Sequence, residues 1–123
     1  MSRATIAKVL MLLLAVSALG AFAGGIGDVR AAPAATQFVE AWRTLGFLVF
    51  AGLFALLALY PRAIPGLWEL TFLHKAGMAL FAFLVAKNDP HAMVAGYIDL
   101  ALASVTAVSY FLAEGYRNWS SRA

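Results

Sequence analysis

Residues 41–60 read Ala41-Trp-Arg-Thr-Leu-Gly-Phe-Leu-Val-Phe-Ala-Gly-Leu-Phe-Ala-Leu-Leu-Ala-Leu-Tyr60. No charged side chain interrupts them between Arg43 and Arg62. At 1.5 Å of rise per residue, about 20 apolar residues make a helix that crosses about 30 Å of hydrocarbon. Lipid offers backbone N–H and C=O groups no partner, so a segment of this kind is a helix by default. The alternation of inward and outward residues that marks a membrane β-strand is absent.

Outward from this stretch, three more segments repeat the pattern: 9–26, 66–86 and 91–113. Tyr60-Pro-Arg-Ala-Ile-Pro-Gly66 and Lys87-Asn-Asp-Pro90 are the short breaks around the third segment. Pro65 is expected in the first turn of the third helix, where a missing N–H costs nothing. Asp89 is expected as the N-cap of the fourth helix and Pro90 as its first residue. Residues 24–37 read as a longer mixed connection, either an extended loop or a short interfacial helix. Short connections force neighbouring helices to run antiparallel. The expected fold is all-α: one transmembrane domain over 1–123, an up-down bundle of four membrane-spanning helices.

Composition agrees. Of 123 residues, 63% are apolar and 12% charged, against about 45–50% and about 25% in soluble domains. A soluble chain this short has too little interior to hide such a surface. Disorder needs low hydrophobicity and high net charge. The net charge is +3, but the basic residues sit near segment ends, where lipid head groups and topology account for them, so no nucleic-acid partner is expected. The chain has no cysteine, which excludes thiol–disulfide chemistry, iron–sulfur clusters and Cys-ligated zinc.

Arg3 and Lys8, the apolar core from Val9 and Ala21-Phe-Ala23 also fit a signal peptide with its cleavage site. Cleavage would leave three helices; the expected reading is a retained anchor. With the N-terminus inside, Arg3, Lys8, Arg62, Arg117 and Arg122 fall on the inner side. Arg30, Arg43 and Lys87 fall on the outer side. This bias places both termini in the cytoplasm of a bacterial inner membrane. Trp42, Tyr60, Trp68, Tyr116 and Trp119 are the expected interfacial belt. Asn118-Trp-Ser120 matches a glycosylation sequon but falls on the cytoplasmic side, so it is read as chance.

Ionisable groups within hydrocarbon are costly, which makes each a candidate for function. The third segment holds Glu69, His74 and Lys75, and the fourth holds Asp99. By helical rise, Lys75 lies about 13 Å and Asp99 about 20 Å from the cytoplasmic ends of their helices, a difference a lysine side chain spans. Each falls on a small-residue stripe of the kind that faces another helix, with Ala79 and Ala82 on one and Gly96 and Ala103 on the other. An intramembrane Lys75–Asp99 ion pair is expected, either fixing helix register or forming part of a ligand or proton site. Gly20, Gly24 and Gly46 complete the candidate helix-packing positions. Arg43 shares a face with Glu40, and either anchors at the interface or binds an anionic or quinone-like head group. Arg43, His74, Lys75 and Asp99 are thus the candidate ligand-binding residues.

His74 and His91 are too far apart in depth to ligate one haem within a chain. No histidine pair at i, i+4 and no carboxylate cluster suggests a metal. No cofactor is called for by the sequence; quinone and haem stay open as alternatives that no residue pattern supports. Serines 17, 104 and 109 have no neighbouring base, so no catalytic residue is expected.

Arg43-Thr-Leu-Gly46, then Gly52, with Tyr60-Pro61 closing the helix, resembles the DoxX-like group of small four-helix membrane proteins. The resemblance covers about the middle half of the chain. It implies a four-helix bundle, and in a few members a link to quinone-coupled sulfur oxidation, with Arg43 as the carried-over polar position. The lack of cysteine weakens a sulfur-redox role. Small multidrug exporters share the size, but their coupling needs a carboxylate in the first helix, and none lies between Lys8 and Asp28. The leading expectation is a non-catalytic accessory or scaffold subunit, its partners being the bilayer and other membrane subunits or further copies of itself. A DoxX-like binder of a quinone or other hydrophobic small molecule and a small transporter are the alternatives.

Overall fold

The computed structural model describes residues 1–120, so Arg122, counted above for orientation, lies outside the described residues. Five helices follow one another: α1 (Arg3–Ala31), α2 (Ala34–Leu59), α3 (Leu67–Leu84), α4 (Pro90–Ala113) and the short α5 (Arg117–Ser120). Among the described residues there is no strand. The first four helices are each long and apolar enough to cross a membrane.

The largest departure from the sequence expectation lies at 24–37. This is not a loop. Helix α1 runs on through Gly24, Gly25 and Gly27 to Ala31, and α2 begins at Ala34. Glycine costs a helix only about 1 kcal/mol relative to alanine, less than leaving backbone groups unpaired in an apolar setting. The break falls at Pro33. The residue before a proline is pushed into extended backbone, and Ala32 has φ −70° and ψ 141°. The Gln37 amide donates to the Val29 carbonyl at 3.1 Å, joining the Ala32 N–H on that acceptor at the end of α1.

The α3–α4 turn follows expectation: Asp89 caps α4, its carboxylate accepting from the His91 N–H at 3.0 Å, with Pro90 in the first turn. At the start of α3, Pro65 stays outside the helix. Gly66 is the cap, with φ 89°, a left-handed conformation that glycine adopts without strain. The indole of Trp119 lies over it.

Helix α1 packs on α2 and α4, and α3 packs on α4, while α2 and α3 touch only narrowly. Met11, Phe54, Leu57 and Trp68 fill the core among small residues such as Ala7, Ala15, Ala18, Ala51 and Ala58. Trp68 is a correction. It is no belt residue but a core residue, 1% exposed, its indole N–H donating to the Pro61 carbonyl at 2.9 Å. Large apolar side chains face outward on all four long helices, among them Leu13, Val16, Val49, Leu73 and Val108.

Two glycines set helix spacing. A Cβ on Gly25 would lie 2.5 Å from the Thr44 hydroxyl oxygen of α2, and one on Gly96 would lie 2.7 Å from the Cβ of Ala82 on α3. Ala79, Ala82 and Ala103 are buried beside these contacts. Among the described residues, a Cβ on Gly20, Gly24 or Gly46 would meet nothing within 4 Å. The close approach within the chain falls at Gly25, about 100° around the helix from Gly24.

Candidate functional site

The buried face of α3 is Trp68, Thr71, Lys75, Ala79 and Ala82, a stripe at three- and four-residue spacing. The cation of Lys75 therefore points where the neighbouring helix lies rather than outward. On α4, Gly96 and Ala103 are buried, and Asp99 lies between them on the same stripe. Lys75 Nζ and Asp99 Oδ1 are 3.4 Å apart, with side-chain exposures of 8% and 16%. The long side chain of Lys75 spans the offset in depth, and the contact of Gly96 with Ala82, one turn from Asp99 and two from Lys75, brings the backbones close enough for the short Asp99 to meet it.

Two aromatic rings complete the cluster. The Phe50 ring of α2 lies under the ammonium, 3.9 Å from Nζ to the centroid. A cation over the face of a ring is attracted by its quadrupole, more so away from water. The His74 imidazole packs against that same phenyl ring with centroids 4.6 Å apart. Lys75 is thus held from both sides, by a carboxylate from α4 and a π face from α2. Thr71 and Thr106, also buried, donate to the carbonyls of Leu67 and Leu102, one turn back on their own helices.

Arg43 does not join this cluster. It pairs with Asp28 and Glu40, each at 3.2 Å, and its guanidinium lies over the Phe47 ring. Half of its side chain is exposed, and exposed ion pairs contribute about 0–1 kcal/mol. Arg43 lines a shallow cleft with Asp28, Thr36, Glu40 and His91. So of the candidate ligand residues, His74, Lys75 and Asp99 come together through Phe50, and Arg43 stands apart. His91 lies in the Arg43 cleft and His74 on Phe50. Among the described residues no group of three or more His, Asp or Glu side chains could hold a metal ion.

A second polar cluster went unread in the sequence. Glu114 ends α4 with φ 57°, unusual for a residue with a side chain. Its carboxylate takes Arg117 at 2.7 Å and Arg62 at 3.4 Å, and the Arg62 Nε–H donates to the Ala113 carbonyl. The Asn118 amide donates to the Pro61 and Ile64 carbonyls, so the sequon asparagine is buried against the α2–α3 turn. Glu69 Oε1 accepts from the Tyr110 hydroxyl and the Trp119 indole. The residues lie up to 57 positions apart in sequence, and no local spacing announces them.

Gly96→Val tests how the ion pair is positioned. The added side chain drives α4 from Ala82, and overpacking of this kind costs about 1–3 kcal/mol. The expected result is a lower thermal midpoint in detergent than for Gly20→Val, where the space beyond the glycine is open.

Comparison with known protein families, with curated proteins and with solved structures finds no match.

Proposed function

We propose that this chain is a non-catalytic accessory subunit of a larger assembly in the bacterial inner membrane, where it lies as an antiparallel bundle of four spans with both termini in the cytoplasm. The observation that carries this reading is the outward placement of its glycines. Gly20, Gly24 and Gly27 recur on one face of α1, and a Cβ on any of them would meet nothing within 4 Å. Glycine is unfavourable within a helix, and in membranes small residues concentrate where another helix packs closely. None of these glycines serves packing within the chain, so the face suits a helix from another subunit.

The polar groups support the same reading. The Lys75–Asp99 pair is closed on itself and on Phe50, which suits a group that fixes how α3 sits on α4. The basic residues near the chain termini, Arg3 and Arg117 among them, fit a cytoplasmic face under the positive-inside rule.

The test is native mass spectrometry of the protein extracted from its own membranes in mild detergent. The expected species has a mass that is not a whole multiple of 13.1 kDa and contains other polypeptides, and it falls apart when Gly20 and Gly24 are replaced by leucine. Particles that contain only copies of this chain would overturn the proposal.

A further inference from the structure

We infer that two copies of this chain associate through the outward face of α3, with the His74 side chains of the two copies hydrogen-bonded to each other. This goes beyond the accessory role and uses a different helix face from the one assigned to it.

His74 lies about 10 Å along a helix about 27 Å long, at hydrocarbon depth for a spanning α3. It is exposed, and its one described contact is the stacking on Phe50. Among the described residues neither ring nitrogen has a hydrogen-bond partner. Thr71 and Thr106 reach a carbonyl of their own helix; His74 does not. Hydrocarbon supplies neither a donor nor an acceptor, so the partner must come from another molecule.

The chemistry of the group selects a second copy. A neutral imidazole carries one N–H donor and one bare nitrogen acceptor, which makes it complementary to another imidazole. A two-fold axis along the membrane normal sets the partner's His74 at the same depth, and an interface of this symmetry brings the same patch together from both sides. The surrounding surface permits the approach. Gly77, three residues on, has open space beyond its Cα, while Leu70, Phe81 and Leu84 on the same stripe are all more than half exposed. The dimer also covers Phe50 and the narrow α2–α3 seam, behind which the Lys75–Asp99 pair lies.

The chain has no cysteine, so a single introduced cysteine reports one position without background. Gly77→Cys and Leu70→Cys are each placed in the full chain and oxidised in native membranes, with Leu13→Cys on α1 as the control. The expected result is a crosslinked species of twice the chain mass from both α3 variants and none from Leu13→Cys. In the Leu70→Cys background, His74→Leu lowers the crosslinked fraction about five-fold, the effect of one hydrogen bond between membrane helices, and His74→Gln, which keeps a donor and an acceptor, restores most of it. Equal crosslinking from the control, an adduct with a different polypeptide in place of the dimer, or no response to His74→Leu would each overturn the inference. Leu70→Cys keeps the test decisive where Gly77→Cys disturbs the helix.

Discussion

Asp99→Leu on its own lowers the unfolding free energy in mild detergent by about 3–5 kcal/mol, the scale observed when one partner of a buried ion pair is removed. The cause is less the lost attraction than the charge left behind. With Asp99 gone, Lys75 remains on the buried stripe of α3, 8% exposed in its side chain, with only the Phe50 ring to face. Lys75→Leu has the converse effect and strands the carboxylate. The double variant Lys75→Leu/Asp99→Leu recovers most of the loss, since apolar side chains of similar volume often replace a buried pair at little net cost. The exchange Lys75→Asp/Asp99→Lys recovers less, because Phe50 then presents its π face to a carboxylate. Equilibrium unfolding followed by tryptophan fluorescence measures all four. A double variant as unstable as either single one would mean that the pair does more than fix helix register.

Trp68→Ala is the second large effect. Removing a large aromatic side chain from a packed site costs about 3–5 kcal/mol, and Trp68 is 1% exposed. The loss includes its hydrogen bond to Pro61 and its edge contact with Tyr110, at 6.0 Å between centroids. It also removes the surface over which Gly115 closes: a Cβ on Gly115 would lie 2.6 Å from Trp68 Cδ1 and 2.8 Å from Tyr110 Cδ2. Trp42→Ala is the matched control. Trp42 is 73% exposed, and substitutions at such positions stay within about 0.5 kcal/mol. Thermal unfolding of the two variants in one detergent should separate them clearly. Equal midpoints would contradict the core role of Trp68.

The sequence made the helices legible for one reason: hydrocarbon thickness fixes a length, and four segments match it. Depth made the Lys75–Asp99 pair legible too, since rise per residue and small-residue stripes suffice to align two charges. Phe50 was not legible, because an aromatic side chain in an apolar helix gives no sign of which ring lies under a cation. The separation of Arg43 from the pair was hidden by the misread connection. Once 24–37 is set apart as a loop or a separate short helix, Asp28 is no longer fixed on α1, and the partner that holds Arg43 disappears from view. The contact of Gly25 with Thr44 was not legible, because a G-x-x-x-G spacing describes a face without saying whether that face turns inward or outward. The cluster around Glu114 joins residues about fifty positions apart, which only tertiary packing brings together.

That cluster also orders the birth of the protein. Synthesis delivers the N-terminal elements first. The turn between α2 and α3 therefore leaves the ribosome with the carbonyls of Pro61 and Ile64 and the guanidinium of Arg62 still waiting for their partners, which arrive only with Glu114 and Asn118. Until Glu114 and Asn118 emerge, the turn between α2 and α3 is made but not fastened. A chain halted at Ala113 has its four long helices but an open clasp, and residues Glu114 to Asn118 close it.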